Sequence, residues 1–284
     1  MISIADLMRS SGMDAIDARV LMRATLGVND AHLIARANDE ISMQHAAQFR
    51  ALAERRAAGE PVAYIVGERE FYGRAFAVSP AVLIPRPETE LLVELALERL
   101  VRNESCRVLD LGTGSGCIAI SIALERSAAY VTATDSSEAA LVVARKNAQR
   151  LGAGNIEFKA GDWLSAAKNE SNEKFDLIVS NPPYVAEGDA HLAQGDLRFE
   201  PMAALAAGAD GLDCIRLIVA GAPVHLAPGG SLLLEHGYDQ AERCRSLFTA
   251  AGFTQVQSWR DIAGIERNTG GRNGTDASRS PAPG

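Results

Sequence analysis

The sequence predicts an α/β fold: an open, mostly parallel sheet preceded by a small helical bundle. Three observations carry this. Short apolar runs rich in β-branched residues recur between positions 107 and 235, and most stop at a glycine, an acid or a proline pair before a helical stretch begins. The first sixty residues show helical spacing only. Between the two regions, residues 62–78 alternate in the manner of a β-hairpin.

Composition narrows the class. The chain has 284 residues, 47% hydrophobic and 23% charged, enough for one large domain or two ordinary ones. No apolar run approaches the roughly 20 residues that span a bilayer, and the start lacks the basic-then-apolar layout of a signal peptide, so a cytoplasmic protein with no membrane partner is expected. Cys106, Cys117, Cys214 and Cys244 are scattered, and His32, His45, His191, His225 and His236 form no cluster. That pattern suits reduced, packed thiols and offers no metal site. The net charge of −8 argues against general binding to a nucleic acid backbone, which requires cationic surface.

Taken in order, residues 1–60 read as several short helices. Asp14 and Ser42 are N-cap candidates, Gly27 closes the second helical run, and Gly59 and Pro61 stop the run from 42 to 58. No residue here has a chemical task. The region is either a packing domain or a docking surface for a macromolecular partner; docking is favoured because an enzyme core needs no such addition. Residues 61–82 read as a β-hairpin linker. Leu83-Ile-Pro-Arg-Pro-Glu-Thr-Glu90 then leads into an apolar-periodic helix. Glu88 and Glu90 complement the dipole of its first turn. Arg86, held between two prolines, fits the entrance of a neighbouring site.

Arg107-Val-Leu-Asp-Leu111 is a buried strand, and Gly112-Thr-Gly-Ser-Gly116 turns it into a helix. Glycines there let the backbone approach a ligand, although one glycine-rich loop is a weak signal. Three features sharpen it. Asp110 sits where its carboxylate would repel a pyrophosphate; no Gly-Lys-Ser/Thr follows; and Val131-Thr-Ala-Thr-Asp135 ends on an acid able to accept from both hydroxyls of a ribose. Acids at both strand ends, with nothing to hold phosphate, suit a nucleoside carrying positive charge, such as S-adenosyl-L-methionine. Thr113, Gly114 and Ser115 would follow its contour. After the strand at 155–159, Asp162 is placed for the adenine amino group and Trp163 for the face of its ring.

The stretch Phe175-Asp-Leu-Ile-Val-Ser-Asn-Pro-Pro-Tyr184 is a short buried strand stopped by two prolines, which cannot donate ladder hydrogen bonds. A rigid turn at the carboxyl end of a strand is where open α/β sheets place ligands. The Asn181 carboxamide oxygen and the Pro182 carbonyl, with no N–H at Pro183, can both accept from one planar NH2 group. Tyr184 offers a face to stack on it. The bland alternative is a proline turn that merely ends a strand.

With these residues assembled, the chain resembles the HemK/PrmC family, the methyltransferases acting on the glutamine of the Gly-Gly-Gln motif in peptide-chain release factors. The resemblance extends from the helical start to about Arg267. Asn181-Pro-Pro-Tyr184 alone is shared with enzymes that methylate adenine or guanine amino groups. Its combination with Ile84-Pro-Arg-Pro-Glu-Thr-Glu90, Tyr64-Ile-Val-Gly67, Phe71-Tyr-Gly73, Glu200-Pro201 and Gly208-Ala-Asp-Gly-Leu212 is more specific. The resemblance implies a seven-stranded, Rossmann-like class I methyltransferase sheet with an antiparallel last strand pair, behind the helical bundle and hairpin linker. It implies S-adenosyl-L-methionine against residues 112–116, Asp135 and Trp163, with S-adenosyl-L-homocysteine as product. Asn181, Pro182, Pro183 and Tyr184 would hold the substrate glutamine, with release factors as partners, no direct nucleic acid contact and a monomer as the default.

Downstream, helices are expected over 213–226 and 240–251, and strands over 229–235 and 253–259. Where the family has a further apolar strand, this chain has Asn268-Thr-Gly-Gly-Arg-Asn-Gly, so the methyltransferase domain is bounded at 83–267 and residues 268–284 read as a disordered tail. The loop around residues 191–198 is long enough to close over substrate. Three other activities compete: base methylation in nucleic acid, methylation of a ribosomal protein glutamine, and a sensor that holds S-adenosylmethionine without chemistry. The acidic balance weighs against the first, the Arg-Pro-Glu-Thr-Glu motif against the second, and the intact Asn-Pro-Pro-Tyr against the third.

Overall fold

A computed structural model describes residues 2–167 and 174–274. The chain forms two compact units, one comprising Met1–Glu68 with Ala193–Phe199 and the other Arg69–Leu192 with Glu200–Gly284.

The first unit is helical: α1 (Ile4–Ser10), α2 (Ala15–Leu26), α3 (Asp30–Ala35), α4 (Met43–Ala57) and α5 (Val62–Val66). Four of these begin with a side-chain cap, from Ser3, Asp14, Asn29 and Ser42, each accepting from a backbone N–H in the first turn. Such caps contribute about 1 kcal/mol apiece, which matters for helices this short. Their inner faces meet in a core around Leu21, Met22, Phe49 and Ile65. Arg56 binds the edge of this unit together, pairing with Asp17 at 2.6 Å and Asp196 at 2.9 Å. Residues 62–66 are helical, not the first arm of a hairpin. The short apolar run is ambiguous by periodicity; Pro61 before its first turn and Gly67 in the left-handed conformation after its last one define a single helical turn and a half.

The hairpin lies further on, as β1 (Glu68–Phe71) and β2 (Arg74–Ala77). Its two-residue turn has positive φ at both Tyr72 and Gly73, as a type I′ turn requires. The main sheet contains β3 (Cys106–Leu111), β4 (Ala129–Asp135), β5 (Ile156–Ala160), β6 (Phe175–Ser180), β7 (Leu226–Glu235), β8 (Phe253–Arg260) and β9 (Glu266–Asn273), with α6 (Glu90–Arg99), α7 (Cys117–Glu125), α8 (Glu138–Leu151), α9 (Asp213–Gly221) and α10 (Ala241–Ala250) among them. Strand order is β5-β4-β3-β6-β7-β9-β8, parallel except that β9 runs against both its neighbours. Successive connections run from β3 to β4 to β5 on one side, and the next crosses back to β6 on the other, so β3 and β6 flank the switch point where open α/β sheets form a crevice. Apolar residues pack on both faces, Val108, Ile120 and Val131 on one and Leu109, Ile178 and Leu232 on the other. Among the described residues no helix is long and apolar enough to cross a membrane.

The strand β9 corrects the expected tail: residues 268–273 are an interior strand, while the last part of the expected tail, 275–284, lies outside the described residues. Its lack of apolar side chains has a packing cause. A methyl group on Gly270 would strike Leu233 Cδ2 and lie 2.8 Å from the Leu232 carbonyl oxygen and 3.2 Å from the Trp259 ring, so neighbouring side chains already fill that volume. The buried Thr269 hydroxyl is satisfied by His236 Nε2 and Ser258 Oγ, each at 2.8 Å. Gly270→Val is therefore expected to destabilise the sheet by about 1–3 kcal/mol or more through overpacking, measurable as a lower denaturation midpoint at an unchanged m-value.

Candidate active site

A cavity of about 220 Å³ opens at the carboxyl ends of β3, β4 and β6. Its wall includes Gly112, Thr113, Gly114 and Ser115 from the loop after β3, Asp135 from the end of β4, and Asp162 and Trp163 beyond β5. Arg86, Thr89, Asn181 and Pro183 close the other side. The ends of four strands and the segment before α6 thus bring together residues as far apart in sequence as Arg86 and Pro183.

The glycine loop is fixed by three contacts. Thr113 N–H donates to the Thr134 carbonyl at 2.9 Å, tying the loop to β4. Asp135 accepts from Gly114 N–H through Oδ2 and from Ser137 N–H through Oδ1, both at 2.9 Å. Asn147, fully buried on α8, donates to the Ser115 carbonyl at 2.9 Å and exchanges hydrogen bonds with the backbone of Ala77 on β2, so the hairpin buttresses the loop. Trp163 packs its ring beside Gly112 and holds φ at 41°, a conformation bulky residues rarely adopt.

Asp110 lies beneath this loop. It is wholly buried and accepts from Thr113 Oγ1 at 2.6 Å. Burial pushes its carboxyl up to about 7, against the pull of the Thr113 hydroxyl. Burial likewise raises the Cys117 thiol to about 12, which leaves it protonated and unreactive.

Arg86 points its guanidinium at Glu200, whose buried carboxylate also accepts from Ile84 N–H at 3.0 Å. Glu200 therefore clamps the Ile-Pro-Arg-Pro segment from both its backbone and its side chain. The acceptor turn is held as firmly. Asn181 Nδ2 donates to Thr89 Oγ1 at 3.1 Å. The Tyr184 carbonyl accepts from Gln240 Nε2 at 2.9 Å, and Gly211 packs so closely on that carbonyl that any side chain there would collide with it. That close approach is why a glycine stands inside Asp210-Gly-Leu212. The Tyr184 hydroxyl faces Glu235 Oε1 at 3.4 Å, and burial raises the pKa of both groups, that of Glu235 to about 7.

Comparison with known proteins decides the family. A PrmC N-terminal domain matches residues 4–67, and a methyltransferase domain matches residues 102–263. The release factor glutamine methyltransferase of Bordetella pertussis is 54% identical over 268 residues, covering 94% of this chain and 98% of the relative. The chain belongs to the release factor glutamine methyltransferase family. The Burkholderia pseudomallei member of that family is 53% identical over 273 residues, with 94% of this chain and 95% of the relative covered. Among solved structures, the T. thermophilus 16S rRNA N2 methyltransferase in complex with AdoMet and guanosine superposes with a TM-score of 0.54 at 22% identity, covering 72% of this chain and 49% of that one. At that identity the likeness is one of fold.

As a member of the family the chain is a methyltransferase, and the cavity collects much of what the sequence singled out. Gly112, Thr113, Gly114, Ser115, Asp135, Asp162, Trp163, Arg86, Asn181 and Pro183 line it. Asp110, Gly116, Pro182 and Tyr184 are not on its wall: Asp110 holds the loop from below, Gly116 opens α7, and Tyr184 turns its hydroxyl toward Glu235. The sequence assigns no role to Thr89, Asn147 or Glu235, and it marks Glu200 only within the Glu-Pro pair of the family resemblance. Glu235 carried the same signal as Asp110 and Asp135, an acid at the end of an apolar strand, and Thr89 lay unassigned inside the Pro-Glu-Thr-Glu motif.

Proposed function

We propose that this chain methylates the side-chain amide nitrogen of the glutamine in the Gly-Gly-Gln motif of peptide-chain release factors, with S-adenosyl-L-methionine as methyl donor and S-adenosyl-L-homocysteine as product. The observation that carries this is one cavity with two chemically distinct sides. One is a glycine loop with two acids and a tryptophan; the other is an asparagine whose amino group is already engaged by Thr89.

The residues fit a cationic nucleoside. An ionised carboxylate has about four acceptor positions, and the backbone uses one on each oxygen of Asp135, which leaves the outer ones for ribose hydroxyls. Asp162 is exposed, and Trp163 flanks the glycine loop with an aromatic face. Among the cavity-lining residues the one cationic side chain is Arg86, and Glu200 neutralises it. Nothing in this wall is suited to a phosphate, and the carboxylates favour positive charge. When bound, S-adenosylmethionine supplies a methyl group activated by its sulfonium.

The acceptor is a poor nucleophile, because the amide lone pair is delocalised into its carbonyl. Asn181 answers this by accepting one amide hydrogen through its carboxamide oxygen, and the carbonyl of Pro182, between two wall residues but itself just behind the wall, is assigned the other. That fixes the nitrogen's orientation and favours the positive charge developing on it. A strong base is unnecessary, since the proton is acidic once the nitrogen carries the methyl group. Tyr184 acts from behind the turn, as a brace. The helical unit serves as the docking surface for the release factor, in the cytoplasm, with the enzyme acting as a monomer.

The test is transfer of a radiolabelled methyl group to three acceptors: a purified release factor, its Gln→Ala variant at Gly-Gly-Gln, and duplex DNA. Label on the unmodified factor alone is the expected result. Label on DNA, or equal label on the Gln→Ala variant, would overturn the proposal.

A further inference from the structure

Resting on the methyl donor proposed above, we propose that Glu200 is a positioning residue that holds Arg86 and cancels its charge, so that the cavity prefers the cationic donor to its neutral product.

Placement carries the argument. Arg86 is the one cationic side chain among the cavity-lining residues, and it shares the wall with Thr89, Asn181 and Pro183, the groups on the acceptor side. Its backbone is extended, as the proline after it requires, and Pro85 precedes it, so little freedom remains to swing the guanidinium away. Glu200 lies behind that wall. Its side chain has no exposed surface, and it spends one oxygen on each of two partners: Oε1 accepts from Arg86 Nη2, and Oε2 accepts from Ile84 N–H at 3.0 Å. Among the described residues no other carboxylate comes within ion-pair distance of Arg86. Pro201, the residue after Glu200, is on the cavity wall, as Pro85 is, so the pair ties two segments of that wall together.

A charge buried this deeply is costly, and an amide or a hydroxyl would serve the Ile84 N–H at less cost. What only an ionised acid adds is a charge opposite to that of Arg86. The wall also contains two acids, Asp135 and Asp162. With Arg86 paired, these two set the field inside the cavity; with Arg86 unpaired, its guanidinium would offset one of them. The charge of Arg86 reaches the acceptor turn. Burial raises the pKa of the Tyr184 hydroxyl and Glu235 adds to this, while Arg267 and Arg86 pull it down.

Donor and product differ in the charge on which this field acts. In the transfer the amide nitrogen supplies the electron pair of the new N–CH3 bond, the S–CH3 bond breaks, and its pair stays on sulfur. The nitrogen then gives its proton to water. The sulfur thus enters as a cation and leaves as a neutral thioether, while the rest of the ligand is unchanged. A cavity with Arg86 neutralised attracts the donor more than the product, and it tolerates the positive charge that passes to the nitrogen. Two unit charges sharing a cavity of about 220 Å³, at the effective dielectric constant of a protein site, interact strongly enough to change affinity about tenfold.

The experiment is calorimetry on the full chain with three ligands: S-adenosylmethionine, S-adenosylhomocysteine, and sinefungin, which carries an ammonium in place of the sulfonium. Glu200→Gln keeps the shape and an oxygen for the Ile84 N–H but loses the charge. It is expected to weaken both cationic ligands about tenfold and to hold S-adenosylhomocysteine within about threefold, so the preference for cations falls. Adding Arg86→Gln removes the unpaired cation and should return that preference to within about threefold of the parent. A merely structural clamp would affect charged and neutral ligands alike, and a second substitution would not repair it. In Arg86→Gln alone the preference should rise or hold; a fall would overturn the proposal, even were Glu200→Gln to fail to fold. An unchanged preference in Glu200→Gln, or one that stays depressed in the double variant, would overturn it equally and leave the donor reading standing. A parent protein that bound none of the three ligands would sink the donor reading, and this inference with it.

Discussion

Asn181→Ala is expected to lower kcat for methyl transfer by about 10²-fold or more, the scale of removing one preorganised polar group from a reacting centre, while the affinity for S-adenosylmethionine stays within a few-fold. The separation follows from placement. The carboxamide is bonded to Thr89 at 3.1 Å and, among the described residues, has no hydrogen bond to Asp135 or to the glycine loop that form the donor side. Alanine removes the oxygen that would hold one amide hydrogen, and the Pro182 carbonyl alone cannot fix the orientation of a planar group that rotates about a single contact. Asn181→Asp distinguishes orientation from simple polarity. It keeps an acceptor toward the cavity but replaces the Nδ2 that donates to Thr89 Oγ1 with a second oxygen. Single-turnover rates with donor saturating, together with calorimetric donor binding, measure the two halves separately. An Asn181→Ala enzyme that lost donor affinity in proportion to rate would move this residue to the donor site and defeat the assigned role.

What could be read along the chain was whatever local chemistry determines. Asp110, Asp135 and Asn181 stand where strands stop, and strands stop visibly, at glycine, acid or proline; the resulting turns carry most of the cavity wall. The features that escaped are those set by residues distant in sequence. The interior position of β9 depends on Leu233 and Trp259 filling the space above Gly270, so the strand's own residues look like a tail. The helix α5 has the composition of a strand, and only its flanking Pro61 and Gly67 distinguish it. Glu200 and Arg86 meet across 114 positions, and Asn147 and Ala77 across 70, pairings that no spacing rule exposes. The strand end faces the crevice, which predicts an Asp110 carboxylate turned to the ligand. The structure instead turns it under the loop toward Thr113, a choice that one hydroxyl three residues later makes.

The donor side gives the second large effect. Asp135→Ala is expected to weaken S-adenosylmethionine binding by about 10²-fold, and Asp135→Asn to weaken it nearly as much, although asparagine matches the shape. Both carboxylate oxygens accept backbone N–H groups at 2.9 Å, from Gly114 in the loop and from Ser137 in the turn into α8. Hydrogen bonds to a charged acceptor are worth about 1.5–3 kcal/mol each, and each tenfold in affinity corresponds to about 1.4 kcal/mol. Alanine abandons both N–H groups and releases Gly114 from β4, so the loop must be reordered by the donor at the moment of binding. Asparagine can satisfy one N–H with its oxygen, but its NH2 then confronts the other N–H, donor against donor, and the loop cannot close on it. The same loss should appear without any ligand, as a lower thermal midpoint for both variants, because the two hydrogen bonds exist in the free protein. Calorimetry with S-adenosylhomocysteine and thermal unfolding of the two variants provide the check. An asparagine variant that bound donor as tightly as the parent would mean that the loop closes without this carboxylate, and that the ribose contact assigned to Asp135 contributes little.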